Sequence, residues 1–143
     1  MTGAGNGLGK EMAFQFAKLG CKVACVDVSY EANKETALSI IYSTGKKDVV
    51  KSYGCDVSKP EEVKKLAEDV VKDFGGVDIL VNNAGILYGH EICGGSNDAI
   101  KKVIDVNLLG NFWVSFFKAN FIELNKVKNF RENSLKSALG GFN

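Results

Sequence analysis

Thr2-Gly3-Ala4-Gly5-Asn6-Gly7-Leu8-Gly9 is the stretch that decides the fold. Apolar residues recur behind it at helical spacing from Leu8 to Leu19, and Gly20 ends the run. A glycine-rich loop that opens a helix lets the backbone approach a pyrophosphate closely. The helix N-terminus then offers free N–H groups and a partial positive charge. Taken alone, such a glycine cluster fits a structural turn equally well.

Strand and helix patterns alternate along the rest of the chain. The apolar runs predict strands at Lys22–Val26, Val49–Cys55 and Val77–Val81. Helices are predicted over about 31–42, behind Ser58-Lys59-Pro60-Glu61, and over about 98–117. The second of these begins with the form of a capping box that has proline in the first turn. This alternation indicates an α/β protein with a parallel sheet and right-handed crossovers.

The composition is that of one ordinary globular domain. The chain has 143 residues, 45% of them hydrophobic, and a net charge of +1. This charge favours neither nucleic acid nor an anionic membrane surface as the main partner. Sixteen glycines with one proline indicate tight turns between regular elements. No stretch is apolar enough to span a bilayer.

The cysteines do not form a recognisable metal-binding pattern. Cys21 and Cys25 are too far apart for the short pair of a zinc ribbon, and His90 is the only histidine. We therefore expect no metal site. Cys21, Cys25 and Cys55 lie in apolar, strand-like surroundings, which is typical of buried reduced thiols in a cytoplasmic protein.

Asp27 stands at the end of the first predicted strand, about twenty positions beyond the glycines. An acidic residue there can accept hydrogen bonds from the adenosine ribose hydroxyls and would repel the extra phosphate of NADP. The glycine loop itself contains no Arg or Lys to attract that phosphate. The cofactor that this pattern favours is NAD. The alternative is an Asp that caps a helix or is simply solvated.

Together these features resemble the short-chain dehydrogenase/reductase family, whose glycine motif has the same T-G-x-x-x-G-x-G spacing. Three further motifs follow in the family's order, and the resemblance covers about residues 2–118. Asp56, in Cys55-Asp56-Val57, matches an aspartate that contacts the adenine ring. Asn82-Asn83-Ala84-Gly85 matches the segment that stabilises the sheet and lines the cofactor cleft. Asn107 matches an asparagine that holds a water in the proton relay.

The resemblance implies a Rossmann-type doubly wound parallel sheet and a defined set of site residues. Asn107 is the one catalytic residue that it carries over. The cofactor-binding set that it implies is Gly3, Gly5, Asn6, Gly7, Leu8, Gly9, Asp27, Asp56, Val57, Asn83, Ala84 and Gly85.

Two short segments resemble a narrower group within the family. Gly85–Gly89 and Asn111–Trp113 are similar to the retinol and 17-beta-hydroxysteroid dehydrogenases, which act on lipophilic alcohols or ketones. This implies an oxidoreductase that is usually a homo-oligomer. It is cytoplasmic, or associated with the endoplasmic reticulum or lipid droplets if an N-terminal anchor exists. Phe112 and Trp113 themselves are predicted to be core residues, and His90 is predicted to lie in a loop.

The family's catalytic serine, tyrosine and lysine have no counterpart here, because no tyrosine occurs after Asn107. The Tyr-x-x-x-Lys matches at Tyr30 and Tyr42 precede the Asn-Asn-Ala-Gly motif and arise from ordinary helical spacing. The buried strand that normally leads into the glycine loop is also absent before Thr2. We therefore expect a chain truncated at both ends and inactive alone. Residues 1–119 would form a partial NAD-binding domain, and 120–143 an unassigned polar tail.

Two other functions remain open at this stage. The first is a non-catalytic module that binds a nucleotide or a partner protein. The second is a methyltransferase, which also uses a glycine loop followed by an acidic residue. The Asn-Asn-Ala-Gly motif and Asn107 argue against a methyltransferase.

Overall fold

The computed structural model describes residues 1–88 and 96–120, and its elements follow the predicted order. They are helix α1 (Gly7–Lys18), strand β1 (Val23–Asp27), helix α2 (Tyr30–Thr44), strand β2 (Val50–Gly54), helix α3 (Pro60–Phe74) and helix α4 (Asn97–Ile104). A π-helical turn, Asp105–Leu109, follows α4, and residues 110–120 continue as α-helix. Gly89, His90, Cys93 and the tail from residue 121 lie outside the described residues.

The two strands lie parallel and are joined by a helical crossover. Val23 pairs with Val50 and Asp27 with Gly54, so both strands point their carboxyl ends to the same edge. Helix α2 connects them and packs against both. This is the β-α-β unit that the alternating pattern predicts.

Both faces of this sheet are covered, as a doubly wound fold requires. Val23 and Cys25 point into a cluster formed with α1 and α2, which includes Ala13, Ala37 and Ile40. Val26 and the half-buried Ala24 point into a second cluster, whose other members come mainly from α3 and the last helix. Successive strand residues therefore bury opposite faces, which explains why β1 is apolar almost throughout.

The first residues of the chain lie where the central strand of a doubly wound sheet belongs. Thr2 forms a parallel bridge with Val26, and its N–H donates to the carbonyl of Val81 at 3.1 Å. β1 and Val81 therefore share Thr2 as a common neighbour. The spatial order β2, β1, Thr2, Val81 is that of the doubly wound fold.

Val77–Val81 itself is not a strand, contrary to the prediction. Its backbone has a single hydrogen-bonded neighbour in the central position, Thr2, and that residue reaches only Val81. An apolar run needs a partner along its length to form a ladder, because sheet hydrogen bonds are made between strands. Val77–Val81 has the apolar composition of a strand, but the backbone beside it pairs only with Val81, so no ladder forms.

The start of α3 also differs from the prediction. The N-cap is Lys59, with no side-chain cap, and Pro60 occupies the first turn. Ser58 instead donates its hydroxyl to Asp56 at 2.6 Å, while Glu62 accepts from the Asp56 N–H at 2.9 Å. Ser58 lies one residue before the N-cap and makes no bond to the first turn of α3, so the capping box does not form.

Candidate functional site

The glycine loop is shaped by how closely its neighbours approach. A Cβ on Gly9 would overlap the Gly3 carbonyl oxygen, and one on Gly5 would lie 2.9 Å from an Asp27 carboxylate oxygen. Gly3 has φ +67°, and a Cβ there would lie 2.8 Å from the Asn83 amide nitrogen. Three glycines are therefore required for the loop to pack against its surroundings.

Gly7 differs from these glycines because it faces open space. It has φ +53°, and nothing lies within 4 Å of its Cβ position. It is also the first residue of α1, where backbone N–H groups have no intrahelical acceptor. Asn6 provides no side-chain cap, and the first turn contains no acidic residue. The open helix terminus therefore fits the phosphates of a dinucleotide.

Leu8 follows in the first turn with 69% of its side chain exposed, and Asn6 is exposed as well. Neither side chain has a packing role that would explain its position. Both predicted residues thus flank the open helix terminus, where a bound nucleotide would cover them.

Asp27 closes the loop from the side of the sheet. One carboxylate oxygen accepts from the Gly5 N–H at 2.9 Å, and the other accepts from the Ser29 N–H at 2.9 Å. The bond to Ser29, the N-cap residue, forms a turn just before α2, and α2 has no side-chain cap, so the structure does not bear out the alternative of a helix-capping Asp27. The carboxylate also remains partly exposed beside the loop, because its residue is only half-buried.

Thr2 joins the glycine loop to the Asn-Asn-Ala-Gly segment. Its hydroxyl accepts from the N–H groups of Asn83 and Ala84, both at 3.1 Å, and donates to the Val81 carbonyl at 3.4 Å. The Asn83 side-chain amide donates to the carbonyls of Thr2 and Gly3 at 3.1 Å each. Thr2 is 2% exposed, so these bonds form in a buried setting.

Asn107 holds the backbone that follows this segment. Its side-chain oxygen accepts from the Ile86 N–H at 2.8 Å, and its amide donates to the Ile86 carbonyl at 2.9 Å. Gly85 lies against it, with its Cβ position 3.5 Å from the Asn107 side-chain oxygen. Asn107 sits in the π-helical turn, a distortion that is frequent at functional sites. The structure therefore gives this side chain a positioning role.

Asp56 and Val57 lie beyond β2, at the same edge of the sheet. The Asp56 carboxylate accepts from the N–H and hydroxyl of Ser58. Partial burial raises the pKa of Asp56, but the Ser58 hydrogen bonds and the charges of Lys59 and Lys102 outweigh it, and the net pKa is lowered. Val57 is buried, and a Cβ on Gly110 would lie 2.8 Å from its side chain. The last helix thus packs directly on this predicted adenine-binding corner.

Two features of the site were not predicted from the sequence. The sequence marks Thr2 only as the first residue of the glycine motif, yet its hydrogen bonds join the glycine loop to the Asn-Asn-Ala-Gly segment. Asn111 donates its amide to the Asn107 carbonyl at 2.8 Å, and Asn82 donates to the Ser115 hydroxyl at 3.0 Å. The sequence does place Asn111 four residues after Asn107, and residues four apart share a helix face, so this spacing could have predicted their contact.

Of the two Tyr-x-x-x-Lys pairs, Tyr30, Lys34 and Tyr42 lie on α2 and Lys46 follows it, so neither pair belongs to the elements that carry Asn83 and Asn107. The side chains of Tyr30 and Tyr42 are 47% and 94% exposed. In the described ranges, no group of His, Cys, Asp and Glu residues could hold a metal ion. Across those ranges, helices of the length and hydropathy needed to cross a membrane are also absent.

Cys25 and Cys55 are buried, as predicted, whereas Cys21 is only half-buried. Burial raises the pKa of Cys25 to about 11, although the chain's amino group lowers it, and raises that of Cys55 to about 12 with help from Glu62. Such thiols stay protonated at neutral pH and are poor nucleophiles. Trp113 is half-buried against the second cluster, as predicted for a core residue. Phe112 is 63% exposed, so its prediction is wrong, because it faces away from the sheet.

Comparisons with known proteins agree with this geometry. Residues 1–123 match the family model described as short chain dehydrogenase. The chain is 42% identical over 114 residues to epidermal retinol dehydrogenase 2 of Mus musculus, covering 80% of this chain and 36% of that protein. It is 35% identical over 114 residues to 17-beta-hydroxysteroid dehydrogenase 13 of Rattus norvegicus, covering 80% of this chain and 37% of that protein. The chain thus spans little more than a third of these relatives.

Solved structures show the same fold. An alcohol dehydrogenase from Thermococcus sibiricus, complexed with 5-hydroxy-NADP, superposes with a TM-score of 0.78 and 30% identity, covering 84% of this chain and 50% of that one. A 3-ketoacyl-(acyl-carrier-protein) reductase from Brucella melitensis, complexed with NADH, superposes with a TM-score of 0.74 and 34% identity. This match covers 80% of this chain and 45% of that one. Both nicotinamide cofactors therefore occur among the structural neighbours.

Proposed function

The chain belongs to the short-chain dehydrogenase family of oxidoreductases, and from this premise we propose that residues 2–118 form the nucleotide-holding part of an NAD-dependent enzyme. The observation that carries the proposal is the open N-terminus of α1 at Gly7, bordered by the Asp27 carboxylate. An anion-binding helix end beside a carboxylate suits a pyrophosphate followed by a ribose.

Each part of the site has a distinct role in holding NAD. The free N–H groups at the start of α1 would bind the pyrophosphate, and Asp27 would accept from the adenosine ribose. Asp56 and Val57 would border the adenine ring, while Asn83, Ala84 and Gly85 would line the cleft. Asn107 would position this last segment through Ile86. When bound, NAD supplies the carbon that accepts or returns a hydride.

NAD is favoured over NADP by charge. The Asp27 carboxylate borders the place where the ribose would lie, and a 2′-phosphate there would meet a like charge. The loop from Thr2 to Gly9 contains no cation that could offset this repulsion.

We propose a lipophilic alcohol or ketone, such as a retinoid, steroid or fatty alcohol, as the substrate of the protein that contains this site. Support comes from the names of the relatives, which include a retinol dehydrogenase and a 17-beta-hydroxysteroid dehydrogenase. From the family resemblance of the sequence alone we also propose a cytoplasmic location, or association with the endoplasmic reticulum or lipid droplets if an N-terminal anchor exists.

The 143-residue chain by itself is proposed to be inactive. A positioned acid–base group contributes about 10²–10⁴-fold to such reactions, and no tyrosine follows Asn107 to fill that role. The alternative function, a non-catalytic nucleotide-binding module, is favoured by one observation. The nucleotide-holding elements are all among the described residues, whereas the proton-transfer residues are not in the sequence.

The test uses a chimera in which residues 2–118 replace the matching segment of the mouse retinol dehydrogenase, so that the rest of an active site is present. We expect NAD to bind more tightly than NADP, and Asp27→Ala to narrow that preference by roughly tenfold to a hundredfold. Glu31→Ala, an exposed carboxylate in the first turn of α2, is the matched control. Equal binding of both cofactors by the unmutated chimera would contradict the proposal. Binding by the chain alone, with no hydride transfer, would favour the non-catalytic module.

A further inference from the structure

Helix α2 buries two polar side chains beneath the nucleotide-holding part of the chain. Asn33 is 0% exposed and Thr36 is 1% exposed, and within residues 1–88 and 96–120 only Thr2 is a comparably buried polar residue. The two lie three positions apart, so they share one face of the helix. Polar side chains are costly to bury unless they are hydrogen-bonded. Both of these bond to backbone that carries the proposed site.

Asn33 joins α2 to the ends of both strands. Its Nδ2 donates to the Cys25 carbonyl at 2.8 Å and to the Tyr53 carbonyl at 3.0 Å. Cys25 lies two residues before Asp27, and by the alternation of a parallel ladder the Asp27 N–H points to the same Tyr53 carbonyl. One buried amide therefore fixes the end of β1 from which the Asp27 carboxylate projects.

Thr36 holds the glycine loop from the same helix face. Its hydroxyl lies 3.3 Å from the Gly5 carbonyl oxygen and 3.2 Å from the Ala32 carbonyl oxygen, and its single proton is shared between them. The N–H of the same glycine donates to the Asp27 carboxylate at 2.9 Å. A Cβ on Gly5 would also lie 3.3 Å from the Ala32 Cβ, so the loop rests on the first turn of α2. Both backbone polar groups of Gly5 are thus bonded to side chains, one to Asp27 and one to Thr36.

The amide of Asn33 is not explained by packing. Its orientation is set by its two partners, because both are carbonyls that can only accept. This leaves the Asn33 Oδ1 buried and without a hydrogen-bond partner among the described residues. An unpaired buried acceptor is destabilising, and a leucine of similar size would avoid it. What the amide provides that a leucine cannot is its pair of donors to the two strand ends.

We propose that Asn33 and Thr36 are positioning residues that set the cofactor selectivity of the site through Asp27. This rests on the proposed function, in which the Asp27 carboxylate accepts from the adenosine ribose. Its two oxygens already accept from the N–H groups of Gly5 and Ser29, so the carboxylate turns with that backbone. Thr36 fixes Gly5, and Asn33 fixes the end of β1. Neither side chain can touch the ribose itself, because both are buried.

Thr36→Val in the chimera is the first test, because valine keeps the shape of the side chain and removes the hydroxyl. Gly5 and the carboxylate then gain freedom, so NAD affinity should fall about fivefold. NADP affinity should not fall, because NADP has no free 2′-hydroxyl for Asp27 and meets its repulsion instead. The ratio of the two Kd values, measured by calorimetry, should narrow accordingly.

Thr44→Val is the matched control for this substitution. Thr44 is a half-buried threonine of the same helix, and its hydroxyl also donates to the carbonyl four residues earlier, at 2.8 Å. Its described hydrogen bonds are to Ile40 and Lys46, not to the glycine loop. The control should therefore leave the ratio of NAD to NADP affinity unchanged.

Asn33→Leu tests the second positioning residue. Leucine removes both donors together with the unpaired oxygen, so the Tm of the chimera should stay within about 4 °C of the parent. The ratio of NAD to NADP affinity should nevertheless narrow, as in Thr36→Val. A much lower Tm would contradict the positioning role of Asn33 and make its amide a requirement for folding.

A double variant separates positioning from a general loosening of the fold. If Thr36 acts through Asp27, then Thr36→Val should hardly change NAD affinity once Asp27→Ala has removed the carboxylate. A purely structural role would lower NAD affinity by the same factor in both backgrounds.

Three outcomes would overturn the proposal. The first is an unchanged ratio of NAD to NADP affinity in Thr36→Val or in Asn33→Leu. The second is the same loss of NAD affinity from Thr36→Val with and without Asp27. The third is an equal effect of Thr44→Val. Failure of the proposed function is distinguishable from these, because the unmutated chimera would then already bind both cofactors equally or bind neither.

Discussion

Thr2 is the residue on which the geometry of the site depends most. Its hydroxyl satisfies the N–H groups of Asn83 and Ala84 at once, and its own carbonyl accepts from the Asn83 amide. The glycine loop and the Asn-Asn-Ala-Gly segment are therefore one unit, although about eighty positions separate them in the sequence. Each motif can be recognised from the sequence, but the hydrogen bonds between them cannot, because they depend on how the chain folds.

Thr2→Val should loosen this unit while keeping the shape of the side chain. Two buried N–H groups lose their acceptor, and each unsatisfied group costs about 1–3 kcal/mol. We expect the chimera to lose about 2–6 kcal/mol of unfolding free energy in denaturant melts. Thr2→Ser retains the hydroxyl and should remain within about 1 kcal/mol of the parent. An equal loss in both variants would contradict this, because it would show that the methyl group matters as much as the hydroxyl.

Among the elements, those with strong local signals were predicted well. β1, β2 and the helices α1 to α3 lie within one or two residues of their predicted bounds. The capping box does not form because the N-cap is Lys59 and not Ser58, and the strand Val77–Val81 does not form because its backbone neighbour Thr2 bonds only to Val81. The π-helical turn at Asp105–Leu109 was also not foreseen. Each of these depends on tertiary contacts that a local pattern does not contain.

The π-helical turn gives a prediction for Asn107. Asn107→Leu removes both bonds to Ile86 and leaves that backbone N–H without its acceptor. We expect the Ile86 amide to exchange at least about tenfold faster, and the cofactor affinity of the chimera to fall. Asn107→Asp keeps an acceptor for the Ile86 N–H and should protect that amide better than leucine does. Unchanged exchange in the leucine variant would mean that packing alone holds the segment.

For the whole molecule, one surface predicts self-association. Exposed apolar side chains recur every four residues along the last helical segment: Ile100, Ile104, Leu108, Phe112 and Phe116. We propose that a second copy of the chain covers this stripe, because two identical apolar stripes are self-complementary across a twofold axis. Phe112→Lys with Phe116→Lys should shift the chimera from dimer to monomer in sedimentation. Lys101→Glu, a polar exchange beside the stripe, should not.

The chain as a whole gives the last prediction, which concerns cooperativity. The centre of a doubly wound sheet normally holds its most buried strand, whereas here only Met1 and Thr2 lie between β1 and Val81. About four apolar side chains in such a strand would each contribute roughly 1.5–3 kcal/mol, comparable in total to a typical domain's stability of about 5–15 kcal/mol. We therefore expect the 143-residue chain alone to aggregate or to unfold without a sharp transition. NAD should not raise the temperature at which the chain unfolds.

Circular dichroism melts with and without NAD provide the measurement. A single sharp transition that NAD moves upward would show that Met1 and Thr2 suffice to join the two halves of the sheet, and would favour the non-catalytic nucleotide-binding module.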